Sequence, residues 1–352
     1  MNERLRIFLK ALAAYVVLNL IMLAGAGPTP AGLSVYNTLW PGRVRLPWGE
    51  RPDLAYNLSL GNLDAMFASH EIAVPKKDDE FRVVLIGDSS TWGFLLKPEE
   101  TLAARLNAAE MQRDGRRVRV YNLGYPDFSL EKDALLLHHA MAYQPDMIVW
   151  LVTLRSFPRD AQGHALTMAN MAEACAAVGR TCEPRVRSLL ERTLWGRRRE
   201  IADLARLQLF GAAWAASGLD QYYPTQYEPV QRDLERDEKF RTYDRASGLP
   251  RVDLTFDAFD VAAHSRVPLL IVNEPMYISD GANSDVRYNF FYPRWAYDAY
   301  REMLRDEMRM RGVRYVDLWD AIPASEFTNS AVHLSPRGSQ MLADILVRDL
   351  ER

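Results

Sequence analysis

The chain has 352 residues, of which 48% are hydrophobic and 25% charged, a composition typical of a folded protein with a sizeable core. Its formal net charge is −3, which leaves no overall positive field to hold nucleic acid, so we expect no nucleic-acid partner. The six histidines are scattered and no Cys/His cluster has zinc-site spacing. We therefore expect neither a metal nor a cofactor.

Residues 1–27 have the pattern of a membrane anchor or an export signal. Arg4, Arg6 and Lys10 precede an apolar run, which is typical of a segment whose N-terminus stays in the cytoplasm. The run reaches only the lower limit of the ~20 residues needed for a span, and Ala24–Ala26 fits a cleavage site. Both alternatives remain open and the uncleaved anchor is favoured. The rest of the chain is then extracytoplasmic, in a bacterial periplasm or at the cell surface.

Two cysteines, Cys175 and Cys182, lie close together in the sequence. An oxidising compartment would permit a local disulfide between them. Two free or buried thiols are an equally good interpretation, so the sequence does not decide their state.

Residues 28–79 are rich in proline, glycine and isolated aromatic residues without a sustained period, which predicts a linker packing onto the domain that follows. Within it, a short helix is expected to dock through four apolar side chains: Leu63, Met66, Phe67 and Ile72.

Residues 80–352 alternate between apolar strands and helices, which predicts parallel strands joined by right-handed crossovers. The predicted strands are 81–86, 117–123, 147–152, 267–272 and 313–318. The predicted helices are 98–113, 129–143, 256–264, 292–311 and 336–350. This order indicates a three-layer α/β/α sandwich with a five-stranded parallel sheet, whose ligands bind at the carboxyl ends of the strands.

Residues 158–254 interrupt this alternation and predict a mostly helical insertion. The basic run Arg197–Arg199 and an apolar series over 204–214 would also suit a membrane surface. Packing against the core is the favoured interpretation.

The segment Gly87–Gly93 lies where the first strand ends and a helix begins, so the Ser89 hydroxyl is expected at the rim of the sheet. A serine there can be activated by a histidine, and its own N–H can help to stabilise an oxyanion. The alternative is a tight turn in which Asp88 or Ser89 caps the helix. The triplet Gly-Asp-Ser alone does not separate the two.

Three blocks taken together resemble the SGNH (GDSL-type) hydrolases. The segment Gly87–Gly93 is similar to the family's first block, GDSxTxG, and Asn122–Gly124 occupies the place of the second-block glycine. The segment Val332–Gly338 is similar to the final block. The resemblance implies a flavodoxin-like fold, with Ser89 as nucleophile, His333 as base and Gly124 N–H as an oxyanion-hole donor.

Two positions depart from the family pattern. The third block, usually GxND, here places Arg155 where the oxyanion-binding asparagine is expected. A guanidinium there could stabilise the oxyanion, bind an anionic substrate group or form a structural ion pair. The final block lacks the usual aspartate three residues before the base and has Ser330 instead. Asn329, Ser330 or a backbone carbonyl could orient His333 instead, and the carboxylates of Asp317, Asp320 and Glu326 are close enough in sequence to reach it. A dyad without a carboxylate is the remaining alternative.

Strand-end loops line the ligand crevice in this architecture, which makes their polar side chains candidate substrate contacts. The candidates are Asp88, Asn273, Arg287 and Asn289. Simple turn chemistry is the alternative for the loop that holds the last two.

The resulting functional hypothesis is a serine esterase or O-acyltransferase that acts on acyl esters of extracytoplasmic glycans or lipids through a Ser–His acyl-enzyme mechanism. The alternative is a catalytically reduced protein of the same fold that serves as a binding or assembly subunit of a membrane complex. The two departures from the family pattern permit this alternative, whereas the intact serine, glycine and histidine argue against it.

Overall fold

The computed structural model describes residues 2–23, 37, 39, 43–48, 61–182, 188–261 and 267–351. The helices within these ranges are α1 Glu3–Leu23, α2 Leu63–Ala68, α3 Ser89–Trp92, α4 Leu102–Ala108, α5 Leu130–Ala140, α6 Ala165–Ala169, α7 Met171–Ala177, α8 Arg198–Ser217, α9 Arg294–Arg311 and α10 Pro336–Leu350. The strands are β1 Glu80–Ile86, β2 Gln112–Arg113, β3 Arg116–Asn122, β4 Met147–Val152, β5 Leu269–Asn273 and β6 Arg314–Asp317.

The sheet has the strand order β2-β3-β1-β4-β5-β6. All neighbours pair in parallel except β2, which is antiparallel to β3. When only the parallel strands are counted along the chain, their order is 2-1-3-4-5, the flavodoxin-like doubly wound order. The direction of winding reverses beside β1, which opens a crevice at the carboxyl end of that strand.

The prediction of a five-stranded, purely parallel sheet is wrong in one detail, because β2 adds a short antiparallel edge. The helix expected over 98–113 ends at Ala108, and Asp114 and Gly115 follow β2 with φ angles of 51° and 71°. Positive φ at both central residues is typical of a two-residue hairpin turn, for which Asp-Gly is a preferred sequence. This turn chemistry ends the helix early.

Helices cover both faces of the sheet because successive side chains of a strand point in opposite directions. Val84 and Ile86 of β1 pack on one face together with residues of α2, α5 and α9. Val83 and Leu85 pack on the other face with residues of α4 and α10. The three-layer arrangement predicted from the alternating pattern is therefore present.

The short helix predicted in the linker is α2, which holds Leu63, Met66 and Phe67, whereas Ile72 lies in the 3₁₀ turn Glu71–Ala73 that follows. All four side chains are almost completely buried. Residues 28–36, 38, 40–42 and 49–60 of the same linker lie outside the described residues. The helix expected over 256–264 begins as a single 3₁₀ turn at Phe256–Phe259, and 262–266 also lie outside them.

Within the described part of the insertion over 158–254, the α-helices are α6, α7 and α8, and they end at Ser217. Cys175 and Cys182 form a disulfide, with their Cα atoms 5.9 Å apart. After α8 the chain runs to 250 with little regular secondary structure. The buried Asp220 anchors this stretch through an ion pair with Arg45 at 2.6 Å. The division into 1–27, 28–79 and 80–352 stays a prediction.

Candidate active site

Ser89 lies on the turn that follows β1. Asp88 caps α3 by accepting a hydrogen bond from Ser90 N–H at 2.8 Å. The turn ends at Gly93, whose φ of 90° favours glycine, and a β-carbon there would lie 2.7 Å from Thr101 Cγ2. The helix cap expected at this position is Asp88, which caps α3. The same turn also holds Ser89 half-buried at the carboxyl end of β1, as expected for the rim of the sheet.

The structure brings Ser89 and His333 together. His333 Nε2 lies 2.8 Å from Ser89 Oγ, and Nδ1 lies 2.9 Å from Asn329 Oδ1. Because an amide oxygen can only accept, Nδ1 carries the hydrogen and the lone pair of Nε2 faces the serine hydroxyl. The Phe94 ring stacks on the imidazole with 4.8 Å between centroids, which restricts its rotation. This is the arrangement of a nucleophile and its general base.

His333 is held as a neutral base by its surroundings. The residue is 8% exposed, and burial lowers the pKa of its imidazole to about 4. The ring is consequently neutral at pH 7 and can accept the Ser89 proton. The low pKa also means that the imidazolium formed during attack is costly in this environment.

Of the two candidates for orienting His333, Asn329 makes the contact and Ser330 does not. Within the described ranges no carboxylate hydrogen-bonds the ring. Two of the acidic residues considered from the sequence have other partners: Arg301 for Asp317 and Ser335 for Glu326. A neutral amide therefore occupies the position that a carboxylate holds in a Ser–His–Asp triad.

Gly124 lies directly against the nucleophile turn. A β-carbon on Gly124 would come within 2.5 Å of Trp92 N, so only glycine permits this approach. Its N–H donates to Asn122 Oδ1 at 3.0 Å, while Asn122 Nδ2 donates to the carbonyl of Thr91 at 2.9 Å. Sequence reasoning did not select Asn122, which ties β3 to the turn. The oxyanion roles of the Gly124 and Ser89 N–H groups stay predictions.

Arg155 lies in the turn after β4, the strand beside β1, and its side chain is exposed. The guanidinium stacks on Phe291 at 4.2 Å and faces Phe128 at 5.0 Å from the ring centroids. In the part of the chain that the structure describes, no carboxylate pairs with it. The structural ion pair considered from the sequence is thus not formed there, and the charge is available to an anion.

The four candidate substrate contacts are buried. Asp88 is the helix cap, and the other three hydrogen-bond to protein atoms. Asn273 donates to Asp317 and accepts from the hydroxyls of Tyr297 and Tyr300. Arg287 donates to the carbonyls of Asn289 and Phe290. Asn289 donates to the Tyr277 carbonyl and accepts from Tyr292 N–H. We retain none of the four as a substrate contact, because these interactions shape the loops around the crevice.

A buried charged cluster lies beneath the nucleophile turn, and sequence reasoning did not identify it. Glu274, the residue after β5, accepts a short hydrogen bond from Ser90 Oγ. Burial, followed by the charge of Asp88, raises the pKa of Glu274 well above its usual range. Lys132 and Asp133 form an ion pair at 2.7 Å on the other side. Two features of the sequence could have indicated this cluster: the adjacent Lys132 and Asp133 within an apolar helix, and Glu274 directly after a strand.

Comparison with solved structures finds distant similarity to proteins described as lipolytic proteins, acylhydrolases or esterases. A lipase/acylhydrolase from Enterococcus faecalis is 14% identical, with a TM-score of 0.39 over 77% of this chain and 95% of that one. A lipolytic protein of the G-D-S-L family from Desulfitobacterium hafniense is 12% identical, with a TM-score of 0.37 over 76% and 98%. A carbohydrate acetylesterase family member from Sinorhizobium meliloti is 13% identical, with a TM-score of 0.36 over 76% and 97%.

No protein-family model and no curated protein matches the chain. The three solved structures are at most 14% identical to this chain, with TM-scores of at most 0.39. At these identities and TM-scores the likeness carries no argument about activity. The chemistry is therefore inferred from the geometry of Ser89, His333 and their neighbours.

The low pKa of His333 predicts an unusually acidic limb in the pH dependence of activity. Only the neutral imidazole can accept the Ser89 proton, so kcat/KM should fall below about pH 4 and not near the ordinary value of about 6.5. The measurement is ester turnover between about pH 3 and about pH 8. An inflection near the ordinary histidine pKa would contradict the prediction.

Protein stability must be followed across the same pH range. The unfolded chain binds a proton at His333 below about pH 6.5 while the folded protein does not until about pH 4, so stability falls as the pH drops through this window. Near-UV circular dichroism at each pH separates loss of the fold from protonation of the base.

The Glu274→Gln variant should be less sensitive to alkaline pH than the parent protein. Because the pKa of Glu274 is raised, the folded state holds a proton that is lost as the pH rises, and the stability that depends on it is lost as well. Glutamine can still accept from Ser90 and does not ionise. Melting temperatures from about pH 4.5, where a glutamate of the unfolded chain ionises, up to about pH 9 provide the measurement.

The matched control is Glu302→Gln, at an exposed glutamate on α9. We expect its melting temperature to fall with pH in parallel with that of the parent, whereas the curve of Glu274→Gln is flatter. Parallel curves for all three proteins would show that no proton is held at Glu274.

Proposed function

We propose that the chain is a membrane-anchored serine esterase or O-acyltransferase of the SGNH type, acting on acyl esters of extracytoplasmic glycans or lipids. The observation that carries the proposal is the 2.8 Å contact between Ser89 Oγ and His333 Nε2, with Nδ1 fixed by Asn329. A serine that lies on the turn after a strand and contacts a buried neutral imidazole can attack a carbonyl carbon as a nucleophile.

The proposed reaction proceeds in two halves. Ser89 Oγ attacks the ester carbonyl carbon while its proton passes to His333 Nε2, giving a tetrahedral oxyanion and an imidazolium. The carbonyl re-forms, the bond to the alcohol oxygen breaks, and Nε2 returns the proton to that oxygen, leaving an acyl-enzyme. Water in an esterase, or a sugar hydroxyl in a transferase, then attacks the acyl carbon while its proton passes to His333 Nε2. The bond from the acyl carbon to Ser89 Oγ breaks, and Nε2 returns the proton to Oγ, which restores the free serine.

Stabilisation of the oxyanion is assigned to Ser89 N–H, with Gly124 N–H as a second donor once it is released from Asn122. Arg155 is better suited to bind an anionic group of the substrate than the oxyanion, because its guanidinium is exposed and supported on two aromatic rings. We therefore propose acylated glycans or lipids that carry a negative charge as the substrate class.

Membrane attachment is assigned to α1. Its 21 residues would extend over about 31 Å, close to the ~30 Å of a hydrocarbon core, and most of its apolar side chains are exposed in the structure. By length and composition it can cross a membrane or act as an export signal. Arg4, Arg6 and Lys10 favour a cytoplasmic N-terminus, and the Cys175–Cys182 disulfide suits an oxidising compartment outside.

A second candidate function, a binding subunit with reduced or no catalysis, is favoured by one observation. The residue that orients His333 is the neutral Asn329, which cannot stabilise an imidazolium by its charge. In that case the crevice beside Ser89 would hold an acylated ligand without turnover.

A fluorophosphonate probe distinguishes the two functions. We expect the purified full chain to gain the mass of the phosphonyl group at Ser89, and Ser89→Ala to gain none, because only an activated serine reacts. The control is Ser247→Ala, at an exposed serine remote in sequence from the site, which should label as the parent does. No labelling of a parent protein whose melting transition is intact would support the binding subunit.

Arg155→Ala tests the choice between substrate and oxyanion contact. If the guanidinium binds an anionic substrate group, kcat/KM should fall about 10- to 100-fold for an ester of an acidic sugar, the effect of losing a hydrogen bond to a charged group. Turnover of a neutral aryl acetate should be almost unchanged. Arg159→Ala, at a neighbouring exposed arginine, provides the control.

Equal losses for both esters would instead assign Arg155 to the oxyanion, since that charge develops with every substrate. Unchanged kinetics with both esters would remove Arg155 from the active site. The measurement is the pair of kcat/KM ratios at matched stability.

A further inference from the structure

The segment 188–199, which precedes and begins α8, contacts the end of α1. Leu194 N–H donates to Asn19 Oδ1 at 3.0 Å, and the Arg192 guanidinium donates to the Leu23 carbonyl at 2.6 Å. Met22, between these two α1 residues, is 8% exposed. The segment therefore lies beside the last turns of the helix assigned to the membrane.

Large apolar side chains of this segment are exposed. Leu189 is 71%, Leu190 68% and Trp195 62% exposed. Burial of large apolar side chains is favourable, so three of them close together in the chain form a surface that favours an apolar environment. They lie next to an apolar helix whose own side chains are also largely exposed.

The same segment carries positive charge. Arg192, Arg198 and Arg199 are exposed, and in the described ranges none of them pairs with a carboxylate. The Arg198 guanidinium lies over the Trp195 ring, 4.7 Å from its centroid. Tryptophan is enriched at membrane–water interfaces, and arginines attract anionic lipid headgroups.

The depth of the contact agrees with an interfacial position. Asn19 precedes Leu23 by four residues, which is about 6 Å along a helix axis. If Leu23 marks the outer end of the membrane span, Leu194 lies about 6 Å from that end towards the centre of the bilayer. Amphipathic segments that lie in the interface bury their apolar face by ~5–10 Å.

The segment is also attached firmly to the folded domain. The Asn62 side chain donates to the Glu200 carbonyl at 3.3 Å, and Gln208 of α8 donates to Ser69 Oγ at 3.1 Å. Asn62 and Ser69 flank α2, which packs into the main core. A membrane contact at 188–199 would therefore be transmitted to the whole domain.

We infer that the segment 188–199 is a second membrane contact, which inserts Leu189, Leu190 and Trp195 into the outer interface of the bilayer that α1 crosses and sets its arginines against anionic headgroups. This inference rests on the proposed anchoring by α1. Its consequence is that the domain does not swing freely on its anchor, so the crevice beside Ser89 keeps a fixed height and orientation above the lipid.

The test places a fluorophore at single thiols of the full chain in vesicles. Leu190→Cys carries the probe in the segment, and Met310→Cys, at a position on α9 that is 68% exposed, is the matched control. The native cysteines are joined in the disulfide and do not react with the label. The vesicles contain equal parts phosphatidylcholine and phosphatidylglycerol, with a nitroxide near the head of the acyl chains as quencher.

We expect the lipid nitroxide to quench the probe at Leu190→Cys several-fold more than the probe at Met310→Cys, in variants whose melting temperatures match the parent. Equal quenching at the two positions would overturn the inference. A Leu190→Cys probe shielded from aqueous iodide but not quenched by lipid would also overturn it, because protein, such as a second copy of the chain, would then cover the segment.

Extraction with alkaline carbonate separates this inference from the anchoring on which it rests. If the chain is released from the vesicles, α1 does not anchor it, and both proposals fail. If the chain is retained and the Leu190→Cys probe is unquenched, anchoring stands and only the second contact fails.

Discussion

The buried ammonium of Lys132 is the interaction on which the candidate active site depends. It has no exposed surface, and it donates to the carbonyls of Gly87 and Tyr125 at 3.2 and 2.5 Å and pairs with Asp133 at 2.7 Å. An unpaired ammonium in the interior costs several kcal/mol, whereas here each donor has an acceptor. Since Gly87 follows β1 and Tyr125 follows β3, one cation from α5 fixes the ends of the two strands that carry Ser89 and Gly124.

Charge balance around Lys132 explains the state of its neighbours. The charge of Lys132 acts on the buried carboxyl groups of Asp88 and Asp133, whose charges act in turn on the buried carboxyl of Glu274, and burial raises the pKa of all three. Asp133 has the ion pair and Asp88 accepts from Ser90 N–H. Among the described residues, Glu274 accepts from the Ser90 hydroxyl and has no cation beside it, so it is the group that retains a proton. The Asp88 and Glu274 carboxyl groups also hydrogen-bond to each other, so the turn that holds Ser89 is built on a carboxyl pair that shares this proton.

Sequence patterns predicted the parts of this structure that depend on local chemistry. Apolar runs located the five parallel strands, and the order of three short blocks identified Ser89 and His333, which contact each other although 244 positions separate them. The hairpin at Asp114 was missed because the expected helix was extended across its turn. The choice of Asn329 over Ser330 depends on the path of one loop, and the roles of Lys132 and Glu274 depend on which strand ends meet. The path of that loop and the meeting of those strand ends cannot be inferred from the spacing of residues along the chain.

The low pKa of His333 affects proton uptake and proton return, the two proton transfers within each half of the proposed reaction, in opposite directions. Relative to an ordinary imidazole, a pKa of about 4 makes protonation less favourable by about 3 kcal/mol, which opposes attack by Ser89. The same imidazolium is a stronger acid and returns its proton to the leaving alcohol more readily. With Asn329 in place of a carboxylate, the developing oxyanion is itself the counter-ion of the imidazolium. Such a dyad suits esters, whose carbonyls are open to attack, better than amides.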